Sequence, residues 1–352
     1  MKKITRILIW TVIIVMVFIA SFLNYLNRND YDPPQIENVY KADKNVISDI
    51  DSGDTITIMS WNIGYAGLGS DMDFFYDGGK KTCTSYSNTV SNLKKIKDFL
   101  TGSEYLDFYI FQEVDSASKR SYYLNEFDSL SDIFKNYTFT NAINYAVKIV
   151  PFPLKSPMGK VNSGIMTFSK YIPEMSVRHS FPENFYWPKS LFMPDRCFMV
   201  NYYVLKNNKR LVLINTHNSA FDDGSLRKEQ LNVLKSFAED EYKKGNYVVV
   251  GGDWNQCPCG ISPDKFSEIP TKDFILTCVE KNVFPEEWDF IYDEDNPTNR
   301  YLNIPYTKGL TATVTLDFFI VSPNIKTQSV KVIDLGFEYS DHQPVVGHFF
   351  LN

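Results

Sequence analysis

Twenty consecutive residues, Ile7 to Leu26, carry no charge, and only Thr11, Ser21 and Asn24 interrupt their apolar character. About 20 apolar residues in a helix cross a hydrocarbon core of ~30 Å, so the run predicts a membrane-spanning helix. It is longer than the roughly 7–15-residue core of a signal peptide, and Phe18-Ile19-Ala20 offers no small-x-small cleavage site. The reading is therefore a retained anchor, although a cleaved signal peptide would export the same domain. Lys2, Lys3 and Arg6 precede the run. That positive flank stays cytoplasmic and sends the C-terminal bulk outside. Trp10 and Tyr25 lie near the two ends, where interfacial aromatics are favoured. Residues 1–33 are thus read as the anchor, polar residues 34–53 as a linker that tethers the domain off the bilayer, and 54–352 as one domain.

Beyond the linker, period-2 and period-3.6 patterns alternate. Thr55 to Trp61 alternates and is rich in β-formers, predicting a strand. Val90, Leu93, Ile96 and Leu100 mark one face of a helix over 87–100, and Ser116 to Phe127 reads as a second helix. Short strands are expected at 108–112, 137–140, 142–149 and 164–169. Residues 173–195, rich in Pro and aromatics, read as loop. Segments 198–205 and 210–216 pair as a hairpin around Lys206-Asn207-Asn208-Lys209. Leu226, Leu231, Leu234 and Phe237 predict a long helix over 225–243. A buried strand at 247–251, a helix at 271–281, and strands at 313–322, 329–335 and 345–351 complete the chain. Hairpins mixed with helical crossovers imply an α/β fold of two mixed sheets packed face to face, with helices outside.

Composition changes this picture little: 44% hydrophobic and 22% charged residues are globular values. Net charge is −6, and the basic N-terminus makes the remaining domain more acidic still. An acidic domain without a basic patch argues against tight binding of duplex nucleic acid. It does not exclude a nuclease, because a bound cation supplies positive charge locally. Five cysteines match no zinc spacing, and Cys257-Pro258-Cys259 reads as a loop with incidental thiols. An exported domain leaves one disulfide open.

Candidate chemistry sits where strands end. Ser60-Trp61-Asn62, Gln112-Glu113, Thr216-His217, Gly252-Asp253-Trp254-Asn255, Leu316-Asp317 and Ser340-Asp341-His342 each break their strand's pattern with polar residues. Taken singly, each has a bland reading: a turn asparagine, a solvated glutamate, a core histidine, an Asx turn. Their order and placement together are what matter. That ordered set, with Ser163 to Lys170, resembles the endonuclease/exonuclease/phosphatase superfamily from about residue 54 to the end. Its members include pancreatic-type deoxyribonucleases, abasic-site endonucleases, neutral sphingomyelinases and inositol polyphosphate 5-phosphatases.

The resemblance implies a four-layer α/β sandwich and a divalent-metal-dependent phosphodiesterase or phosphatase. It implies that Glu113 binds the metal with Asn62 and Asp341, and that Asp253 and Asn255 face the scissile phosphate. His217 would stabilise the phosphate, and Asp341 and His342 form the closing pair, with Asp317 orienting a histidine. The chemistry agrees. A hard cation held by carboxylate and amide oxygens neutralises an anionic ester, and a single clear Glu suits magnesium, with manganese as a substitute. A histidine whose tautomer a carboxylate fixes is the natural base for water, which favours His342 over Asp253. Amides such as Asn62 and Asn255 donate to phosphate oxygens. Arg196, just before a strand, is a candidate phosphate contact, with a surface ion pair as its alternative.

The substrate is a phosphate ester: a lipid headgroup, extracellular nucleic acid or a small ester. The aromatic stretch Phe181, Phe185, Tyr186, Trp187, Phe192 suits a bilayer interface, a stacked base or packing over the sheet. A phosphomonoesterase and a non-catalytic membrane-tethered binding module are the alternatives, and no protein partner is implied. No polar position of the set is missing, which favours an enzyme.

Overall fold

The computed structural model describes residues 2–42, 47–183, 185–220, 224–268 and 276–352. Helix α1 (Lys2–Arg28) is exposed along nearly its whole length and is long and apolar enough to cross a membrane. Near its end Leu26 is buried.

Two mixed sheets form the domain. The first has seven strands in the order β1 (Ile36–Lys41), β6 (Met175–Ser180), β7 (Cys197–Val204), β8 (Arg210–His217), β9 (Tyr247–Asp253), β13 (Asp317–Val321) and β10 (Asp289–Ile291). The second has six, in the order β14 (Ile325–Val332), β15 (Val345–Leu351), β2 (Thr55–Asn62), β3 (Phe108–Asp115), β5 (Gly159–Ser169) and β4 (Thr138–Val150). A two-stranded ribbon pairs β11 (Asn299–Arg300) with β12 (Thr313–Val314). Each large sheet holds one parallel pair, β8/β9 and β2/β3, next to antiparallel neighbours. Between these parallel strands run the two crossover helices, α2 (Tyr86–Gly102) after β2 and α4 (Ser225–Lys243) after β8.

The layers follow from which faces are apolar. Ile56, Ile58, Ile110, Leu213, Val249, Phe319 and Phe349 interlock between the sheets. Leu93, Ile96 and Leu100 of α2 cover the outer face of the second sheet. Leu231, Leu234 and Ala238 of α4 cover the first. The expected four-layer α/β sandwich is therefore the observed one. α2 turns slightly from its expected face: Asn92 and Thr89 are buried, while Val90 is 40% exposed.

The buried strands, the 197–217 hairpin and α4 match the reading from sequence. Other segments differ. Residues 36–41, inside the stretch read as linker, form edge strand β1 against β6. β6 itself lies in the stretch read as loop. Its buried Arg178 conceals the strand pattern, and donates to Ile143 O, Asp195 O and Ser180 Oγ. The helix expected over 116–127 is a set of turns with positive φ at Ala117, Tyr122 and Tyr123, followed by α3 (Glu126–Ser131). Of the helix expected at 271–281, residues 271–275 lie outside the described residues. The rest is not helical, because Cys278 is bridged to Cys257 by a disulfide. The cysteine pair is thus structural, while Cys259 stays free.

A buried polar tie joins the sheets beneath the strand ends. Gln112 Nε2 donates to Asn215 Oδ1 at 2.8 Å, and Asn215 Nδ2 donates to Phe111 O and Met166 O. Asn215→Leu strands an amide and two carbonyls in the core, at ~1–3 kcal/mol for an unsatisfied group. An unfolding free energy lower by about 3 kcal/mol is expected, read as a shifted denaturation midpoint at unchanged slope.

Candidate active site

The C-terminal ends of β2, β3, β8 and β9 converge, and local backbone devices aim their last side chains. Between β3 and β5 the register slips between Phe111 and Val114. A bulge of this kind re-aims a side chain, and here Glu113 takes φ +53°, unusual for a non-glycine residue. Its carboxylate is 20% exposed and accepts no hydrogen bond among the described residues. On the other sheet, Gly252 has φ +146°, and a Cβ there would lie 2.0 Å from Thr216 O. Only glycine lets β9 lie this close to β8, which sets His217 opposite Asp253 in register. Asp317 of β13 pairs with Asp253 from the other side.

The result is a line of buried groups. Asp317 Oδ2 holds His342 Nδ1 at 2.7 Å. His342 Nε2 lies 3.7 Å from Asp253 Oδ2, and Asn62 Nδ2 donates to that same oxygen at 2.9 Å. Asp253 Oδ1 accepts the backbone N–H of Asn255. His217 Nε2 reaches Asp253 Oδ2 at 3.5 Å and Glu113 Oε1 at 3.9 Å, while its Nδ1 sits 2.9 Å from Arg196 Nη1.

Electrostatics divides the two histidines. An arginine only donates, so His217 Nδ1 must accept, leaving its proton on Nε2. Burial, then Arg196, His342 and Arg120, hold its pKa well below the ordinary histidine value. His217 is therefore a neutral donor. For His342 burial acts downward, but Asp317, Asp253 and Asp341 outweigh it and lift its pKa well above the ordinary value. Burial also raises Asp253, and raises Asp341 to about 6, with the nearby Glu113 carboxylate adding to the rise for Asp341.

These groups open into one pocket of about 180 Å3, lined by Glu113, Arg196, Asp253, Asn255, Asp341 and His342 among others. Every candidate site residue except Asn62, His217 and Asp317 lines it, and those three sit directly behind its wall, touching groups that do. Arg196 is no surface ion pair: its Nε is buried without a partner among the described residues.

Four contributors receive no role from the sequence, although Asn218 directly follows the motif histidine. Asn299 Nδ2 lies 2.9 Å from His342 Nε2 and donates to Asp341 O. Asn218 accepts from Thr216 Oγ1 and, through its carbonyl, from Asn255 Nδ2. Arg120 pairs with Asp115 through two nitrogens and lies 3.7 Å over the Tyr65 ring. Arg300 braces the 68–72 loop by donating to Gly69 O and Leu68 O. Asn299, Arg120 and Arg300 are common polar residues in stretches without periodicity. The Lys119-Arg120 pair, for example, reads as an exposed helix face.

The sequence matches the profile of the Endonuclease/Exonuclease/phosphatase family over residues 59–342, most of the chain. The chain belongs to this family. No curated protein matches it. Among solved structures, an endonuclease/exonuclease/phosphatase from Beutenbergia cavernae DSM 12333 is similar at TM-score 0.57 and 14% identity, over 85% of this chain and 72% of that one. The human Nocturnin catalytic domain with bound sulfate is similar at TM-score 0.53 and 16% identity, over 87% and 97%. ANGEL2, a 2',3'-cyclic phosphatase, is similar at 0.51 and 16%, over 88% and 99%. At such identities these likenesses establish the fold. Family membership makes the chain a hydrolase of phosphate esters.

Proposed function

We propose that the protein is a membrane-anchored, extracytoplasmic hydrolase that cleaves phosphodiesters by water attack assisted by a divalent cation. The observation that carries this is convergence: one pocket is lined by Glu113, Asp253, Asp341, His342 and Arg196, with Asp317 bonded to His342 and His217 against Arg196 directly behind its wall. A retained anchor accounts for α1. The disulfide between Cys257 and Cys278 supports an oxidising location for the domain.

The residues fit a hard cation. The Glu113 carboxylate lines the pocket, accepts no hydrogen bond among the described residues, and its charge adds to burial in raising the Asp341 pKa. Glu113 and Asp341 would hold magnesium, or manganese in its place, with Asn62 Oδ1 as a third oxygen. That oxygen also accepts from Gly64 N at 3.0 Å, so Asn62 would share it. Asp253, Asp317 and His342 also offer donor atoms within 4.8 Å of one another. We read them as a proton-handling array instead, because Asp317 already holds Nδ1 and Asn62 holds Asp253. When bound, the cation offsets the surrounding carboxylates, lowers the His342 pKa and polarises the phosphate.

The chain's own residues do the rest. Asp317 fixes the His342 proton on Nδ1, so Nε2 presents a lone pair. Asn299 occupies that lone pair until the attacking water displaces it. Water oxygen bonds to phosphorus, its proton passes to Nε2, and the ester P–O bond breaks on the far side, where the leaving alkoxide is protonated by solvent. Asp253 aligns the water, held by Asn62 and the Asn255 amide. His217 Nε2–H, Asn255 Nδ2 and Arg196 donate to the phosphate oxygens, where charge builds. Arg196→Gln is expected to raise KM about tenfold, with a smaller change in kcat. It also lets the His217 pKa rise toward its ordinary value, which steady-state kinetics and imidazole NMR would report.

The test is cleavage of bis(p-nitrophenyl) phosphate by the detergent-solubilised full chain with magnesium. Turnover lost on EDTA and in His342→Ala supports the reading. Turnover insensitive to both sinks it.

A further inference from the structure

Two loops that contribute residues to the pocket wall also carry apolar side chains that the domain leaves exposed. Tyr186 and Trp187 are 86% and 60% exposed, on the loop that carries pocket-lining Phe185 and Met193. Phe152 and Leu154 are 55% and 79% exposed, on the loop that leads to pocket-lining Met158. Tyr145 of β4, the strand that runs into the second loop, donates to Phe192 O near the end of the first at 3.2 Å. Exposed Lys155 and Lys189 stand next to them. A single exposed aromatic needs no explanation. Several on two loops that line one pocket mark an interaction surface.

The structure indicates what covers this surface. Trp187 shares a crevice with Met16, Ile19, Leu23 and Asn27 of α1. The connection from α1 to the domain is also tied down. Leu26 is buried, Tyr31 lies under the Arg178 guanidinium, Gln35 Nε2 donates to Ser180 O at 2.9 Å, and β1 then pairs with β6. The domain is therefore docked against its anchor. From Met16 to Asn27 the helix axis rises about 16 Å at ~1.5 Å per residue. These are the last turns before the extracytoplasmic side, so Trp187 stands at the level of the outer acyl and headgroup layers. Tryptophan and tyrosine with neighbouring lysines are the side chains suited to that depth, and lysines favour anionic lipid.

We propose that the Phe152–Leu154 and Tyr186–Trp187 loops dock into the outer leaflet of an anionic phospholipid bilayer, setting the pocket mouth on the headgroup layer. The proposal rests on the reading of α1 as a membrane span, and the tryptophans separate the two. Of five, Trp61, Trp254 and Trp288 are buried, leaving Trp10 in α1 and Trp187 in the loop. The full chain would be reconstituted into phosphatidylcholine/phosphatidylglycerol nanodiscs with or without acyl-chain bromination, which quenches only emission at the bilayer. The W10F protein is expected to lose emission in brominated discs that the W10F/W187F protein does not lose. Quenching of Trp10 in the W187F protein reports the anchor independently. Equal emission loss in W10F and W10F/W187F, with Trp10 quenched, overturns the docking surface and leaves the anchor standing. An unquenched Trp10 overturns the anchor, and the docking surface with it.

Discussion

Glu113→Gln is expected to lower magnesium-dependent turnover by about 10³-fold while leaving the fold intact. The two side chains have the same shape, and the strained backbone at φ +53° is common to both. No hydrogen bond among the described residues is lost, and the contact with Arg120, at 3.8 Å, is long. Arg120 keeps its closer pairing with Asp115 at 2.9 Å. What changes is one negative charge on a carboxylate that lines the pocket and would hold the cation. Stability should move by no more than about 0.5 kcal/mol, so circular dichroism melts and initial rates separate a lost metal ligand from a damaged fold. A rate within tenfold of the parent would remove Glu113 from the metal site.

Asp317→Asn acts on the other half of the chemistry, and kcat should fall by about 10⁴-fold. An amide at this position can donate to Nδ1, which drives the imidazole proton onto Nε2 and blocks the lone pair needed for water. The pH profile carries a second signature. Among the carboxylates that raise the His342 pKa, Asp317 acts most strongly. Without it, burial pulls the value down. A base works only when deprotonated, so activity rises with pH through the pKa of that base, and a lowered pKa moves this acid limb to lower pH. The variant should thus show a lower plateau and a limb displaced toward acid. An unshifted limb would assign it to another group.

The proposed catalytic line is legible in sequence because each member interrupts a pattern. A carboxylate inside Leu316-Asp317-Phe318 or a histidine closing a strand stands out against apolar neighbours. The strands beside them are legible too: 247–251 reads as buried and extends to Asp253 as β9, and 345–351 alternates in burial as β15. What stayed hidden was made by long-range polar contacts. Arg178 looks like a surface residue until Ile143 O and Asp195 O are placed around it, so β6 reads as loop from sequence. Residues 116–127 have helical composition. They are unwound because Arg120 folds back on Asp115, with Ser121 donating to the same carboxylate. Asn299 supports His342 from 43 positions away, across an isolated bridge that no local signal announces. Strand β1 is hidden for a related reason: Ile36 to Lys41 alternates only weakly, and its partner strand is itself concealed.

The most direct test of the account follows the oxygen. Bis(p-nitrophenyl) phosphate is hydrolysed by the full chain with magnesium in 18O-labelled water, and both products are examined by mass spectrometry. Water attack at phosphorus places the label in p-nitrophenyl phosphate and none in nitrophenol, in proportion to turnover and only when magnesium is present. Label in nitrophenol, or equal labelling of the phosphate with the cation removed, would contradict the central claim that this pocket directs cation-assisted attack of water on a phosphate ester.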